Sequence, residues 1–249
     1  MKLSVNLNKV ALLRNARGEG RPSVRDFANR AIDYGVSGLT LHPRPDHRHA
    51  TSKDVVIISQ LCKDRNVEFN IEGNPFSSPS GDFKGFLNLV EESQPDQITL
   101  VPDSPDQITS DHGWITGNHD DDLKNIIYNL KDLSKHSQIS LFVDNMKGNK
   151  VNYDAIDYAI YVGANLIEIH TGYFSKHIEE GNLSATNEIE SLINKANKSN
   201  LMVNAGHDLN LINLPHLVKI GGINEVSIGH AIVIDALNYG FEATIKSYI

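Results

Sequence analysis

The sequence predicts an α/β protein of the (β/α)8 TIM-barrel class, with residues 1–249 forming one domain. Three observations predict it. Eight short apolar segments recur along the chain, each followed by sequence with helical spacing, and strict β/α alternation makes a parallel sheet. A length of 249 residues suits a closed barrel of eight such units. Nearly every strand-like segment also runs into an ionisable or amide side chain at its C-terminal end, the rim on which barrels carry their chemistry. A doubly wound open sheet is the main alternative. No G-x-G-x-x-G follows the first strand, which weakens the dinucleotide-binding form of that fold.

The elements follow in order. Residues 3–7 are the first strand and deliver Asn6 and Asn8, with Lys9 beyond. Ser23 is placed to cap a helix, with Asp26 at its third position and Val24, Phe27, Ala28, Ala31 and Ile32 at helical spacing, and Gly35 ends it. Residues 38–41 are the second strand. They run into LTLHPRPDHRH (39–49), where Pro43 and Pro45 stop the strand near His42. His42, His47, His49, Arg44 and Arg48 thus gather just past a strand end. Arginine suits phosphate recognition and histidine moves protons near neutral pH; alone, such a stretch is as readily a solvated loop.

Thr51 resembles a second N-cap, with Asp54 three residues on and Val55, Ile58, Leu61 and Cys62 on one helical face. Residues 67–71 lead to Glu72, and residues 97–101 are closed by Pro102. Residues 103–122, with Asp103, Asp106, Asp111, Gly113, Trp114 and Gly117, exceed a normal βα loop. They read equally as a lid and as a surface excursion with its own packing. Leu123, Ile126, Ile127, Leu130 and Leu133 form a helical stripe. Residues 139–143 lead to Asp144 and then a helix ending near Gly163. Residues 166–169 carry Glu168 and lead to His170, in EIHTG, before a helix marked by Ile189, Leu192, Ile193 and Ala196. Residues 201–204 end at Asn204 and reach His207 in VNAGHD, before a short helix at 214–219. Residues 225–228 reach Gly229 and His230 in SIGHA, and the tail from Ala231 is helical.

Bulk properties narrow the partners. A net charge of −8 argues against nucleic acid or an anionic membrane as a general partner. All arginines lie between Arg14 and Arg65, however, so an acidic chain holds a local excess of anion-binding groups. The lone Cys62 permits no intramolecular disulfide and falls in an apolar helical pattern. The N-terminus lacks the apolar core of a signal peptide, and no run reaches about 18 apolar residues. A soluble, cytoplasmic protein is expected.

Polar groups also end strands simply because strand ends meet water. Convergence of so many on one rim points to a cavity. Glu72 and Glu168 at the mouth of an apolar barrel are expected to have raised pKa values, suited to a general base; an ion pair is the alternative. Gly206 and Gly229 are expected to let backbone approach a ligand, and the helices after them to offer N–H groups to a phosphate. Arg44, Arg17 and Arg14 are candidates for a second anion. Metal binding by His47-Arg48-His49 or Glu168-Ile169-His170 is the weaker use, since short H-x-H patterns are unspecific and the first lies in a loop.

Taken together, VNLNKVALLRNARG (5–18), LTLHPRPDHRH (39–49), NIEGN (70–74), EIHTG, VNAGH and SIGHA resemble the pyridoxine 5′-phosphate synthase family over nearly the whole chain. The resemblance implies a barrel with extra helices, assembled as a homo-octamer. It implies condensation of 1-deoxy-D-xylulose 5-phosphate with 3-amino-2-oxopropyl phosphate to pyridoxine 5′-phosphate, phosphate and water, with no metal or organic cofactor. By position, His42 and Glu72 resemble the proton acceptors, His207 the proton donor and Glu168 a stabiliser of charge. Arg44, His49 and Thr109 resemble contacts to the sugar phosphate; Asn6, Arg17, Gly229 and His230 resemble contacts to the amino-ketone phosphate. His47 and Arg48 are expected to face solvent or a neighbouring subunit. Asn8 and Lys9, expected to contact the sugar phosphate, stand where many members carry Asp-His. Asn8 keeps a hydrogen-bonding carbonyl without the charge, and Lys9 keeps a donor and is cationic. Asp208 stands where glycine is common, and only its backbone N–H is expected to meet ligand. Pro43 and Pro45 depart from the commonest form and are expected to stiffen the His42 loop. The rival readings are a metal-dependent barrel hydrolase or isomerase and a non-catalytic sensor of phosphorylated metabolites.

Overall fold

A computed structural model of the chain describes residues 1–249 except 105, 118 and 119. Eight parallel strands are β1 (Lys2–Asn6), β2 (Gly38–Leu41), β3 (Glu68–Gly73), β4 (Gln97–Leu100), β5 (Gln138–Asp144), β6 (Leu166–His170), β7 (Met202–Gly206) and β8 (Glu225–Ile228). They close into a barrel in the order β1-β8-β7-β6-β5-β4-β3-β2. Helices between successive strands cover it. Each strand is short, apolar and ended by a proline, glycine or polar residue, and the parallel order follows from the crossover helices.

Strand alternation decides what faces where. Leu3, Val5, Leu39, Leu41, Phe69, Ile71, Ile98 and Leu100 are buried between the strands and the helical layer. The alternate positions turn inward, and the interior they fill is polar, not apolar as expected. Ser4 and Thr40 share a hydrogen bond at 2.7 Å. The Asn70 amide donates to Thr40 at 3.5 Å, and Thr99 donates to Asn70 at 3.1 Å. Across the barrel, the Asn204 amide donates to Gln97 at 2.9 Å. Register carries this order to the rim: Asp144 of β5 is level with His170 of β6, which is level with Gly206 of β7.

The caps sit where the sequence places them. The Ser23 hydroxyl accepts the Asp26 N–H at 3.2 Å and starts helix Val24–Asp33. Thr51 and Asp54 form a reciprocal capping box on helix Ser52–Arg65. Cys62 is buried in that helix; burial and the nearby Asp96 charge push its thiol up to about 12, which leaves it unreactive.

Helix Asn8–Asn15 directly after β1, helices Phe86–Ser93 and Gly172–Glu179, and a hairpin pairing Met146–Lys147 with Lys150–Val151 are additions to the predicted elements. The helical tail divides at Gly240 into His230–Tyr239 and Phe241–Tyr248, where the glycine takes φ 79°. Among the described residues, no helix is long and apolar enough to cross a membrane.

Thr51→Ala removes one half of the capping box, while Asp54 keeps its ion pair to Arg14. The expected cost is about 1 kcal/mol of unfolding free energy with an unchanged m-value, read by urea denaturation; an unchanged midpoint would show that the tertiary contacts hold this helix end without its cap.

Candidate active site

The C-terminal rim encloses a cavity of about 860 Å³, and three groups of side chains meet there. The first is built on the ends of β1, β2 and β3. Asn6 ends β1; its side-chain oxygen accepts the Asn8 N–H at 3.0 Å and its amide donates to Glu72 Oε2 at 3.3 Å. The Asn8 side chain in turn accepts the His42 backbone N–H at 2.9 Å. His42 thus stands just past β2 with its backbone clamped by the neighbouring loop. Its Nδ1 lies 3.6 Å from Glu72 Oε2 and its Nε2 lies 3.0 Å from Asp103 Oδ2. Burial lowers the proton affinity of His42, but hydrogen bonds and charge from Asp103 and Glu72 outweigh it and push the pKa up to about 9.

Asp103 also pairs with the Arg44 guanidinium. Burial raises the Asp103 pKa, and His42 with Arg44 more than reverses this and holds it down to about 2. Arg44 donates to the Gln107 carbonyl at 2.8 Å. Arg48 donates to Gln107 and Ile108 carbonyls at 2.6 and 3.0 Å. These contacts hold Asp103, Gln107 and Ile108 at the rim. Trp114 is pinned to the barrel, its indole donating to the Leu100 carbonyl at 2.9 Å. Lys9 and His49 line the same end of the cavity. Burial, and then the cations His42, Arg44, Lys9 and Arg48, push the His49 pKa down to about 3. His49 is therefore a neutral imidazole among cations, able to hydrogen-bond an anion without adding charge.

Glu168 forms the floor. It is buried, with Thr99 donating to it at 3.4 Å. Burial, followed by the Glu72 and Glu225 carboxylates, holds its pKa well above the usual range. A Cβ at position 206 would collide with Glu168 Oε1, so Gly206 makes room for a protein carboxyl. Gly229 is similar: a Cβ there would lie 2.8 Å from the Asn6 carbonyl. Both positions are too crowded for a Cβ, and Gly229 also lines the cavity.

The third group lies on the turn after β7 and the helix start after β8. His207 and Asp208 take φ 82° and 57°, a region that β-carbon residues rarely adopt. The Thr171 hydroxyl holds this turn by donating to the Gly206 and His207 carbonyls at 2.8 and 2.5 Å. His207 Nε2 lies 3.0 Å from the Thr109 hydroxyl on the loop. Its Nδ1 lies 3.0 Å from Asp208 Oδ2, out of hydrogen-bonding alignment. The imidazole beside it keeps the Asp208 carboxyl below the usual range. Opposite, Gly229, His230 and Ala231 line the cavity where helix His230–Tyr239 begins without a side-chain cap, leaving N–H groups to meet an anion.

The cavity thus brings together His42, Glu72, Glu168 and His207, together with Asn6, Asn8, Lys9, Arg44, His49, Thr109, Asp208, Gly229 and His230. It does not include Arg17, whose side chain is 77% exposed and paired with Glu19, because it follows the end of helix Asn8–Asn15, beyond the rim. Arg14 is committed to Asp54. Arg48, expected to face solvent or a neighbour, lines the cavity and ties the loop. His47 packs against Phe83 while His49 lines the cavity, so the H-x-H pair diverges. Asp103 was visible only as one of several loop acids; its place directly after Val101-Pro102 at the end of β4 was the available signal.

Residues 3–249 match the family Pyridoxal phosphate biosynthesis protein PdxJ. A pyridoxine 5′-phosphate synthase of Xanthomonas axonopodis pv. citri (strain 306) is 42% identical over 250 residues, covering 100% of this chain and 95% of the relative. One of Xylella fastidiosa (strain 9a5c) is 42% identical, covering 100% and 93%. Among solved structures, the tryptophan synthase α-subunit of Pyrococcus furiosus superposes with a TM-score of 0.63 at 14% identity, covering 98% of this chain and 94% of that one. That level of identity speaks to the barrel fold alone.

The His42 value sets a pH dependence. Because it lies above the ordinary 6.5, the stability it contributes is fully present below about pH 6.5 and lost as the pH rises through about 9. In an NMR titration His42 is expected to have a midpoint near 9, and Asp103→Asn should lower it by about one unit or more. An unmoved midpoint in the variant would take Asp103 out of the account.

Proposed function

This chain belongs to the PdxJ family of pyridoxal phosphate biosynthesis proteins, and from that membership we propose that it is a pyridoxine 5′-phosphate synthase. It condenses 1-deoxy-D-xylulose 5-phosphate with 3-amino-2-oxopropyl phosphate, releasing phosphate and water. The observation that carries the reading is the full-length 42% identity to proteins of that name. The geometry supports it by offering two anion-binding ends with proton-transfer groups between them.

The sugar phosphate is assigned to the end formed by Lys9, Arg44, Arg48 and His49, with Thr109 above it. The amino-ketone phosphate is assigned to Asn6, Gly229 and His230 at the uncapped helix start. The Asp208 carboxylate stands beside His207, which leaves its backbone N–H as the group suited to an anion. Between the two ends, amine and ketone condense, two waters and one phosphate leave, and the ring aromatises, each step moving protons. With Asp103 on its Nε2, His42 is an imidazolium at neutral pH and accepts no proton. A phosphate dianion competes with Asp103 for the Arg44 guanidinium. Once Asp103 leaves, the His42 imidazolium loses its strongest stabiliser and releases its proton to solvent, and the neutral ring is then a base alongside Glu72. Substrate binding and base activation are thereby one event. His207 serves as proton donor, and protonated Glu168 donates to oxygen that gains charge on the floor.

Assembly as a homo-octamer in the cytoplasm belongs to this proposal. It is supported by the family resemblance and by exposed apolar side chains on two neighbouring helices, Leu12 and Leu13 on one, Ile234, Leu237 and Tyr239 on the other. Sedimentation velocity tests the assembly, and a species of 27.6 kDa would remove it.

Incubation with both substrates is expected to yield pyridoxine 5′-phosphate; without turnover the synthase reading falls. Glu72→Gln should lower kcat by about 10²-fold or more with KM nearly kept. Arg44→Lys should raise KM for the sugar phosphate, since lysine lacks the bidentate fork; normal kinetics in either variant would remove that residue from its role.

A further inference from the structure

Asp144 and His170 lie behind the cavity and have no part in the mechanism above. Their geometry is nonetheless specific. The register of β5 on β6 sets them side by side, and His170 Nδ1 meets Asp144 Oδ1 at 2.9 Å. The His170 ring stands edge-to-face on His207, with centroids 4.7 Å apart and planes at 78°. Phe142 holds its other flank at 5.4 Å. Space for the ring depends on Gly172, where a Cβ would lie 2.9 Å from His170 Nε2. The His170 side chain is 13% exposed, so this is a packed arrangement.

We propose that Asp144 and His170 are positioning residues for His207: the carboxylate fixes the His170 ring, and the ring fixes the imidazole that gives up the proton. The need for such support is visible at His207 itself. It sits on left-handed backbone at φ 82°, on a turn and not within a strand, and its Nδ1 makes no hydrogen bond to protein. Thr171 secures the backbone, Thr109 meets Nε2 from the loop, and Asp208, on the same turn, lies 3.0 Å from Nδ1 out of hydrogen-bonding alignment. The restraint that comes from a barrel strand is the ring of His170. Asp144 fixes that ring because a carboxylate accepting from Nδ1–H sets both tautomer and ring angle. An imidazole misdirected by its partner loses most of its catalytic use even when the fold is intact.

The inference rests on the reading of His207 as proton donor, and the test separates the two. kcat and KM for both substrates are measured for wild type, His207→Phe, Asp144→Asn, His170→Phe and the double variant Asp144→Asn/His170→Phe. Asp144→Asn keeps the shape and loses the charge; His170→Phe keeps a ring and loses the bond to Asp144. Each single variant is expected to lower kcat about 10-fold or more, with KM changed less than about 2-fold. The double variant should be no slower than His170→Phe, because Asp144 acts through His170. Multiplying effects, or a wild-type kcat in Asp144→Asn, would overturn the inference even if His170→Phe fails to fold. A wild-type chain without turnover, or an active His207→Phe, would instead overturn the proton-donor reading.

Discussion

A closed barrel whose interior is polar must pair most of the groups it buries, and the rest of this structure depends on that constraint. Among the described residues, Ser140 Oγ and Glu225 Oε2 are left without a hydrogen bond. Ser4, Thr40, Asn70, Thr99 and Gln97 bond one another along a strand or between neighbouring strands, and Asn204 reaches Gln97 across the axis. A buried amide or hydroxyl left alone would cost more than the bond contributes. The column ends on Glu168 at the rim and lies above Glu225 at the opposite end, where burial and the Glu68 carboxylate push the pKa up to about 8. Carboxyls in this column resist ionisation because burial and the neighbouring carboxylates disfavour the charge, and at Glu225 Lys2 offsets this only in part. The same crowding explains Gly206 beside Glu168 and Gly38, where a Cβ would lie 3.2 Å from Ser4 and 3.3 Å from Glu225.

At the rim the balance reverses, because cations are available. Glu72, His42, Asp103 and Arg44 alternate in sign, and each pairs with the next. Such a chain keeps buried charges close to neutral, the condition under which they are tolerated. It also makes the four groups interdependent. Moving Asp103 changes both the free charge on Arg44 and the proton on His42. Asp103 and Gln107 belong to the 103–122 loop, so loop position and protonation state are coupled through one guanidinium.

The barrel was legible in the sequence because strands and breakers alternate, and the longer helices were legible through Ser23 and Thr51, whose caps are local. Asn8–Asn15, Phe86–Ser93 and Gly172–Glu179 span 8 residues each, barely two turns, too few for a periodic signal against tertiary context. The rim residues were legible for a related reason: a polar side chain directly after an apolar strand is a local pattern. What remained hidden depends on partners far apart in sequence. Arg48 meets the loop 59 residues on, Asp103 meets Arg44 59 residues back, and His170 meets Asp144 26 residues back. The apolar interior expected around Glu72 and Glu168 failed likewise, since Thr99 and Asn204 read as ordinary strand residues until register turns them inward.

The division between strand and loop also orders which residues are free to vary. His42, Glu72 and Glu168 are set by strand ends and buried bonds, so a change there disturbs the barrel. Asn8, Lys9 and Asp208, where this chain departs from the commoner family pattern, lie on connections. Lys9 adds a cation to the anion end without touching the column, and Asn8 keeps the carbonyl that clamps the His42 backbone. A carbonyl oxygen suffices for that bond, so the carboxylate charge common at this position is dispensable for holding His42. His207, the proposed proton donor, is the exception: it lies on a loop, on left-handed backbone, directly before such a departure. Strand placement gives the other groups their rigidity through backbone ladders. His207 obtains it from side chains on β5 and β6, so a turn gains the fixity of the two strands beside it.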